Sequence, residues 1–356
     1  MYTPVPRHDH RLHSHRTLFG ARTRWSCVGI TVSEHVALAP YTTLGVGGPA
    51  RFFVSVTTVE ALQDAITYAH ERSLKVAVLG GGSNCLVSDE GFDGLVIHLC
   101  LQGISINDDT LSIAAGENWD DCVECAIENG LQGIECLSGI PGTVGGAIVQ
   151  NIGAYGAEIK DVCVSVDYID VRTNTQKTLS GDECEFAYRS SIFKGINDRI
   201  VVGATLRLSQ SDTSRGQYAG LPSEASLRDM RNVVLSERKK KGMLEGQHRS
   251  AGSFFTNPVI SRAQYDRIQA TYHDVPMYPV DDAHVKVPAA WLIEHAGIAK
   301  GSYNETQTVG TSPDHALSIV TYAHATTNDV HQFAECIATC VYETFTITLT
   351  REVTIL

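Results

Sequence analysis

From Thr42 onward, apolar positions recur with two periods. Residues 50–56, Ala50-Arg51-Phe52-Phe53-Val54-Ser55-Val56, alternate by two and predict a half-buried strand. Across residues 59–72, Leu62, Ala65, Ile66 and Ala69 follow the spacing of an amphipathic helix. Residues 75–79 and 94–99 predict buried strands, which closes a small α/β unit spanning residues 35–104. A second unit, residues 105–211, starts with a strand at 111–115 and a helix at 120–129 that Gly130 stops. Strands at 162–171 and 200–208 complete it. Residues 209–227, rich in Ser, Gly and Asp, predict a linker or long loop. A third unit, residues 212–356, takes in a basic helix at 227–241, helices at 289–296 and from Asn328, and a final strand at 345–356 that holds Glu352. Residues 1–34 fit none of this. Their His-rich, basic, aperiodic pattern predicts an extension without fixed structure.

Composition narrows the classes. The chain has 356 residues, 43% of them hydrophobic and 19% charged, the balance of a globular protein. No apolar run reaches the ~20 residues of a membrane span, and no apolar leader opens the chain. The formal charge of −12 argues against a general nucleic-acid or anionic-membrane surface, so any anionic ligand must be met by local cations. Ten cysteines sit mostly inside apolar patterns. Cys122 and Cys125 form a C-x-x-C with no second pair at zinc spacing, so reduced thiols, no metal site and a cytoplasmic location are expected.

Two glycine-dense turns carry the candidate chemistry. The first, Leu79-Gly80-Gly81-Gly82-Ser83-Asn84, follows a strand but lacks the Gly-Lys-Ser/Thr of a phosphate-binding Walker loop. It is no Rossmann fingerprint either, because Cys85 replaces the third glycine and a strand, not a helix, should follow. What remains is a turn whose backbone N–H groups can converge on an oxyanion. The second run places Gly139, Gly142, Gly145 and Gly146 around Pro141 and continues through Gln150, Asn151, Gly153 and Ala154. Two such turns in neighbouring α/β units suit a long dinucleotide whose pyrophosphate lies on backbone amides.

Taken in order, these segments resemble the UDP-N-acetylenolpyruvoylglucosamine reductases. The resemblance rests on Thr43-Leu44-Gly45-Val46-Gly47-Gly48, on both glycine turns and on Gln150-Asn151-Ile152-Gly153-Ala154-Tyr155-Gly156. It also rests on Tyr188-Arg189-Ser190-Ser191-Ile192-Phe193-Lys194, Ala251-Gly252-Ser253-Phe254-Phe255-Thr256-Asn257-Pro258 and Val287-Pro288-Ala289-Ala290-Trp291-Leu292-Ile293, and spans about residue 40 to the carboxyl terminus. It implies an α+β fold: two FAD-binding α/β subdomains of the vanillyl-alcohol-oxidase (PCMH) type plus a C-terminal α/β substrate-binding domain. It further implies FAD as cofactor, NADPH as co-substrate and a nucleotide-sugar substrate whose enolpyruvyl ether is reduced, in a monomer.

The resemblance assigns Leu79, Gly80, Gly81, Gly82, Ser83, Asn84, Gly139, Pro141, Gly142, Gly145, Gly146, Gln150, Asn151, Gly153 and Ala154 to the cofactor. Reducing a vinyl carbon pushes charge into the neighbouring carboxylate, so the chemistry wants a cation there and a proton donor above the adjacent carbon. Arg189 matches the family's arginine, Ser253 its proton donor and Glu352 its carboxyl-terminal acid, which must carry or share a proton to assist. Tyr155, Lys241 and Asn257 match substrate contacts, and Tyr218 the tyrosine that closes over the diphosphate in one subclass. Arg238-Lys239-Lys240-Lys241 offers local positive charge. The sequence departs from the family at Cys85, where an aliphatic residue is common, and at Arg351, where a proline precedes the glutamate. Two readings stand beside it: a sugar or alcohol oxidase of the same fold, and a flavin module that only relays electrons.

Overall fold

The computed structural model describes residues 24–27 (backbone only), 29–216 and 220–356. Most of the expected extension, and Tyr218, lie outside those residues. The fold starts earlier than expected, however. Arg24–Cys27 pairs antiparallel with Ile30–Ala37, and Ile30 and Val32 are buried. Alternation in Ile30-Thr31-Val32-Ser33 is the local cause; the basic tract before it hides the pattern.

The first sheet sets five strands in the order Arg24–Cys27, Ile30–Ala37, Pro49–Val56, Phe92–Leu99, Lys75–Leu79, the last three mutually parallel. Helix α1 (Val59–Glu71) is capped by the Thr58 side chain and buries Leu62, Ala65 and Ile66 on one face. The second sheet is antiparallel, in the order Thr175–Ser180, Cys163–Asp170, Arg199–Arg207, Thr110–Ala114, Ile104–Asn107. Helix α2 (Trp119–Glu128), capped by Asn118, and α3 (Val144–Gln150) pack with it. One hydrophobic core runs through both units, from Ile30 to Leu227. Cys122 lies on the buried face of α2, and burial pushes its thiol up to about 12.

The basic helix α4 (Leu227–Lys240) packs on this second unit. Its Arg231 grips Asp120 of α2 through Nη1 and Nη2 at 2.6 and 2.9 Å, and Arg238 donates to the Gly139 carbonyl at 3.0 Å. Burial would raise the Asp120 carboxyl, but the Arg231 contacts outweigh it and hold the group below the usual carboxylate range. A separate core joins Ser250–Ser253, Val309–Thr311 and Ser318–Thr321 to α5 (Arg262–Gln269), α6 (Ala289–His295) and α7 (Thr327–Phe345), and takes in Leu44, Val46 and Leu86 from the first unit. Asp89 reaches across to cap α7, accepting from the amides of Thr327 and Asn328 at 2.8 Å each.

The end of the chain differs from the expected long strand. Helix α7 runs to Phe345 and stops at Thr346 in a left-handed conformation. Arg351 then forms a single bridge with Phe255, and Thr354–Ile355 pairs in parallel with Cys85–Leu86 beside the first glycine turn. Among the described residues no helix is long and apolar enough to cross a membrane.

His315 gives this third unit a pH signature. Burial, with Lys241 and Lys300 nearby, lowers its imidazole to about 4, and its Nδ1 accepts from the Leu317 amide at 3.2 Å. The unfolded chain therefore takes up the proton near pH 6.5, before the folded one does, and stability falls as pH drops from there toward 4. The loss between pH 7 and pH 5 should reach about 2 kcal/mol. Urea midpoints at the two pH values should converge in His315→Gln relative to the parent; parallel curves would remove His315 as the cause.

Candidate active site

The two glycine turns meet over one cavity of about 570 Å³, a size suited to a cofactor-scale ligand. Its wall includes Leu79 to Cys85 and residues drawn from the 141–153, 194–201, 242–253 and 352–356 segments. Much of the glycine content serves contact between the turns themselves. A Cβ on Gly81 would sit 2.9 Å from Gly142 Cα, and one on Gly80 would sit 2.5 Å from Thr143 Oγ1. The Ser83 hydroxyl donates to the Pro141 carbonyl at 3.0 Å and completes the seam. Thr43 closes it from behind, donating its amide to the Gly82 carbonyl at 3.1 Å.

The cavity suits a dinucleotide. Among the described residues the amides of Gly81, Gly82 and Ser83 find no protein acceptor, so they remain available to phosphate oxygens. Gly146, on the first turn of α3, is exposed, and a Cβ there would meet only Thr143 Oγ1, at 3.9 Å. A flat ring system bound here would be held by Gly80 to Asn84, Pro141, Gly142, Gly145 and Gly146.

Arg189, Ser253 and Glu352, far apart in sequence, all reach the cavity wall. Arg189 Nε lies 3.0 Å from Glu352 Oε1, with both side chains largely shielded. Gln150 Nε2 donates to the same Oε1 at 3.1 Å, and Arg189 Nη2 donates to the Gly153 carbonyl at 2.6 Å. Gln150, expected as a cofactor contact, thus also steadies the glutamate. The Glu352 amide bonds the Phe254 carbonyl at 2.9 Å, which places the acid one residue across from Ser253. No protein group engages the Ser253 hydroxyl among the described residues. Arg351, in the proline's place, anchors the segment to α7 through His331 Nδ1 at 2.8 Å and through Glu335.

Several expected ligand residues also have structural duties. Gly139 lies off the cavity: Leu235 and Leu244 would each be 2.7 Å from its Cβ, and its amide donates to Asp120. Asn151 is fully buried; it bonds Glu158, the Ala187 carbonyl and the Lys160 amide, which fixes the loop ahead of Arg189. Ala154 packs on the main core. Asn257 Oδ1 accepts from the Ala289 amide at 2.8 Å and so caps α6. Lys241 Nζ stands 5.5 Å from the Tyr155 ring centre, a cation–π pair beside the cavity and not in its lining. The basic run is no single patch, because Arg238 is buried on carbonyl groups while Lys240 pairs with Glu237 at 2.5 Å. Lys194, Arg238 and His248 also line the cavity. Lys194 appeared in sequence only as part of a longer motif, and His248 carried no signal at all.

Comparison with known proteins agrees with this geometry. A family of FAD binding domains matches residues 50–180, and the family "UDP-N-acetylenolpyruvoylglucosamine reductase, C-terminal domain" matches residues 245–356. The UDP-N-acetylenolpyruvoylglucosamine reductase of Thermobifida fusca is 41% identical over 345 residues, covering 90% of this chain and 96% of that protein. The one from Saccharopolyspora erythraea is 36% identical over 341 residues, covering 89% and 93%. The crystal structure of UDP-N-acetylenolpyruvylglucosamine reductase from Thermus caldophilus is similar with a TM-score of 0.68 at 28% identity, covering 92% of this chain and 99% of that one.

Proposed function

Since the chain belongs to the UDP-N-acetylenolpyruvoylglucosamine reductase family, FAD-containing oxidoreductases of peptidoglycan precursor synthesis, we propose that it reduces UDP-N-acetylenolpyruvoylglucosamine to UDP-N-acetylmuramate with electrons from NADPH. The observation that carries this reading is the meeting of Arg189, Glu352 and Ser253 on the wall of a cavity that two glycine turns enclose. In this reading FAD lies between the units of residues 35–104 and 105–211, and the nucleotide sugar lies against residues 212–356, in a cytoplasmic, monomeric enzyme. Tyr155, Lys241 and Asn257 are its expected contacts to the nucleotide sugar.

Bound FAD would supply hydride, taken from NADPH, to the terminal vinyl carbon. As the vinyl group is reduced, negative charge gathers on the substrate's carboxylate. Arg189 meets that charge with a planar fork, one arm already fixed on Gly153. Glu352 shares the same guanidinium and, held by Gln150 on the same Oε1, fixes the direction in which that fork faces the substrate. Ser253 gives its hydroxyl proton to the adjacent carbon. A weak acid suffices there because an enediolate carbon is strongly basic.

The test is a visible spectrum of the full-length protein reconstituted with FAD, titrated without air first with NADPH and then with the enolpyruvyl nucleotide. Flavin bands that bleach and then return support the proposal. Return only on admitting air would favour an oxidase, and no flavin binding would remove the reading altogether.

A further inference from the structure

We propose that Lys194 is a positioning residue for the reductive step: it holds Arg189 in the backbone conformation that aims the guanidinium at Glu352. The identity of the step rests on the function proposed above; the contact between the two residues does not.

Arg189 has φ +53°, in the left-handed region that costs a non-glycine residue roughly 1 kcal/mol or more. Glycine would relieve the strain but would bring no guanidinium. The turn around Arg189 is tight, since Ala187 and Ser190 exchange backbone hydrogen bonds of 3.0 and 3.1 Å. Its geometry leaves the Arg189 carbonyl facing Lys194, whose Nζ donates to it at 2.8 Å. Lys194 itself is well anchored. Its amide bonds the Ser191 carbonyl at 3.1 Å, the Ser191 hydroxyl bonds the Val149 carbonyl of α3 at 2.8 Å, and Phe193 beside it is buried. A continuous path thus runs from α3 through Ser191 and Lys194 to the strained residue, and from there to Glu352.

The surroundings suit that duty. Burial, aided by Arg189, pushes the Lys194 ammonium below the ordinary lysine range, while Glu352 draws it back toward the charged form. Without this donor the Arg189 carbonyl would lose its partner in a shielded place, and the turn could relax toward negative φ. Lys286 cannot substitute, because its Nζ lies over the Tyr188 ring at 4.4 Å and makes no bond to the Arg189 carbonyl.

The test pairs a crystal structure of full-length Lys194→Met with rapid-reaction kinetics of the FAD-loaded protein. We expect Arg189 to leave the positive-φ region and its contact with Glu352 to lengthen beyond hydrogen-bond reach. We expect reoxidation by the enolpyruvyl nucleotide to slow roughly tenfold or more, and by a larger factor than flavin reduction by NADPH. Lys194→Arg, which keeps a cationic donor, should recover much of that rate. In an Arg189→Lys background the added penalty of Lys194→Met should largely vanish. An unchanged Arg189 with slow reoxidation would mean that Lys194 acts on the substrate directly, and would overturn the proposal. A displaced Arg189 with parental rates would overturn it equally. If the parent enzyme itself ignores the enolpyruvyl nucleotide, the functional reading fails, and the crystal structure alone still decides whether Lys194 holds Arg189.

Discussion

Ser253→Ala should leave flavin reduction by NADPH at its parental rate and slow reoxidation by the enolpyruvyl nucleotide by about 10²–10⁴-fold, the usual worth of a positioned general acid. The fold has little stake in this hydroxyl. Ser253 pairs with Ser318 through the strand, and its Oγ makes no protein hydrogen bond among the described residues, so the melting temperature should barely move. Unfolding therefore cannot account for the expected loss. Stopped-flow traces of the two half-reactions, recorded separately, distinguish the outcomes. Equal slowing of both would point to a disturbed cavity and end the assignment of Ser253 as proton donor.

The second large effect is expected from Arg189→Lys. The change keeps one positive charge and removes the fork. Arg189 spends Nε on Glu352 and Nη2 on the Gly153 carbonyl, contacts that splay in two directions from one rigid plane. A lysine ammonium can satisfy one of them and still face the substrate, or both and face nothing. The loss should lie in kcat for the reductive step, about 10²–10³-fold, because charge develops on the substrate carboxylate only as the reaction proceeds. KM for the nucleotide sugar should change far less. A rate near the parent's would show that a point charge is enough, and the fork would then be a scaffold feature.

The sequence was most informative where one periodic signal acted alone. Helices α1 and α2 read clearly because their apolar faces sit within the segments themselves. The turn at Gly80 reads as no Walker loop because it lacks Gly-Lys-Ser/Thr, and as no Rossmann fingerprint because Cys85 takes the third glycine's place and the strand Cys85–Leu86 follows. Signals failed where distant residues decide. Gly139 looks like part of a ligand loop, yet its missing side chain makes room for Leu235 and Leu244 of another segment. Asn151 sits in a ligand-like motif, yet its amide is consumed by Glu158, Ala187 and Lys160. The end of α7 was misread because Thr346 adopts the left-handed conformation without the glycine that would announce it. The candidate trio of Arg189, Ser253 and Glu352 was legible only through resemblance, since an arginine in a turn, a serine after glycine and a glutamate in a terminal segment are individually commonplace.

The parallel pairing of Thr354–Ile355 with Cys85–Leu86 also sets a schedule for biosynthesis. Asn84, which donates to the Glu352 carbonyl at 3.4 Å, precedes it by 268 positions. A ribosome adding about 5–20 residues per second exposes the glycine turn and then needs roughly tens of seconds to deliver the acid that belongs beside it. A product lacking Glu352 would keep both glycine turns yet lose the acid that pairs with Arg189, so this pair forms only once two segments made far apart in time have met.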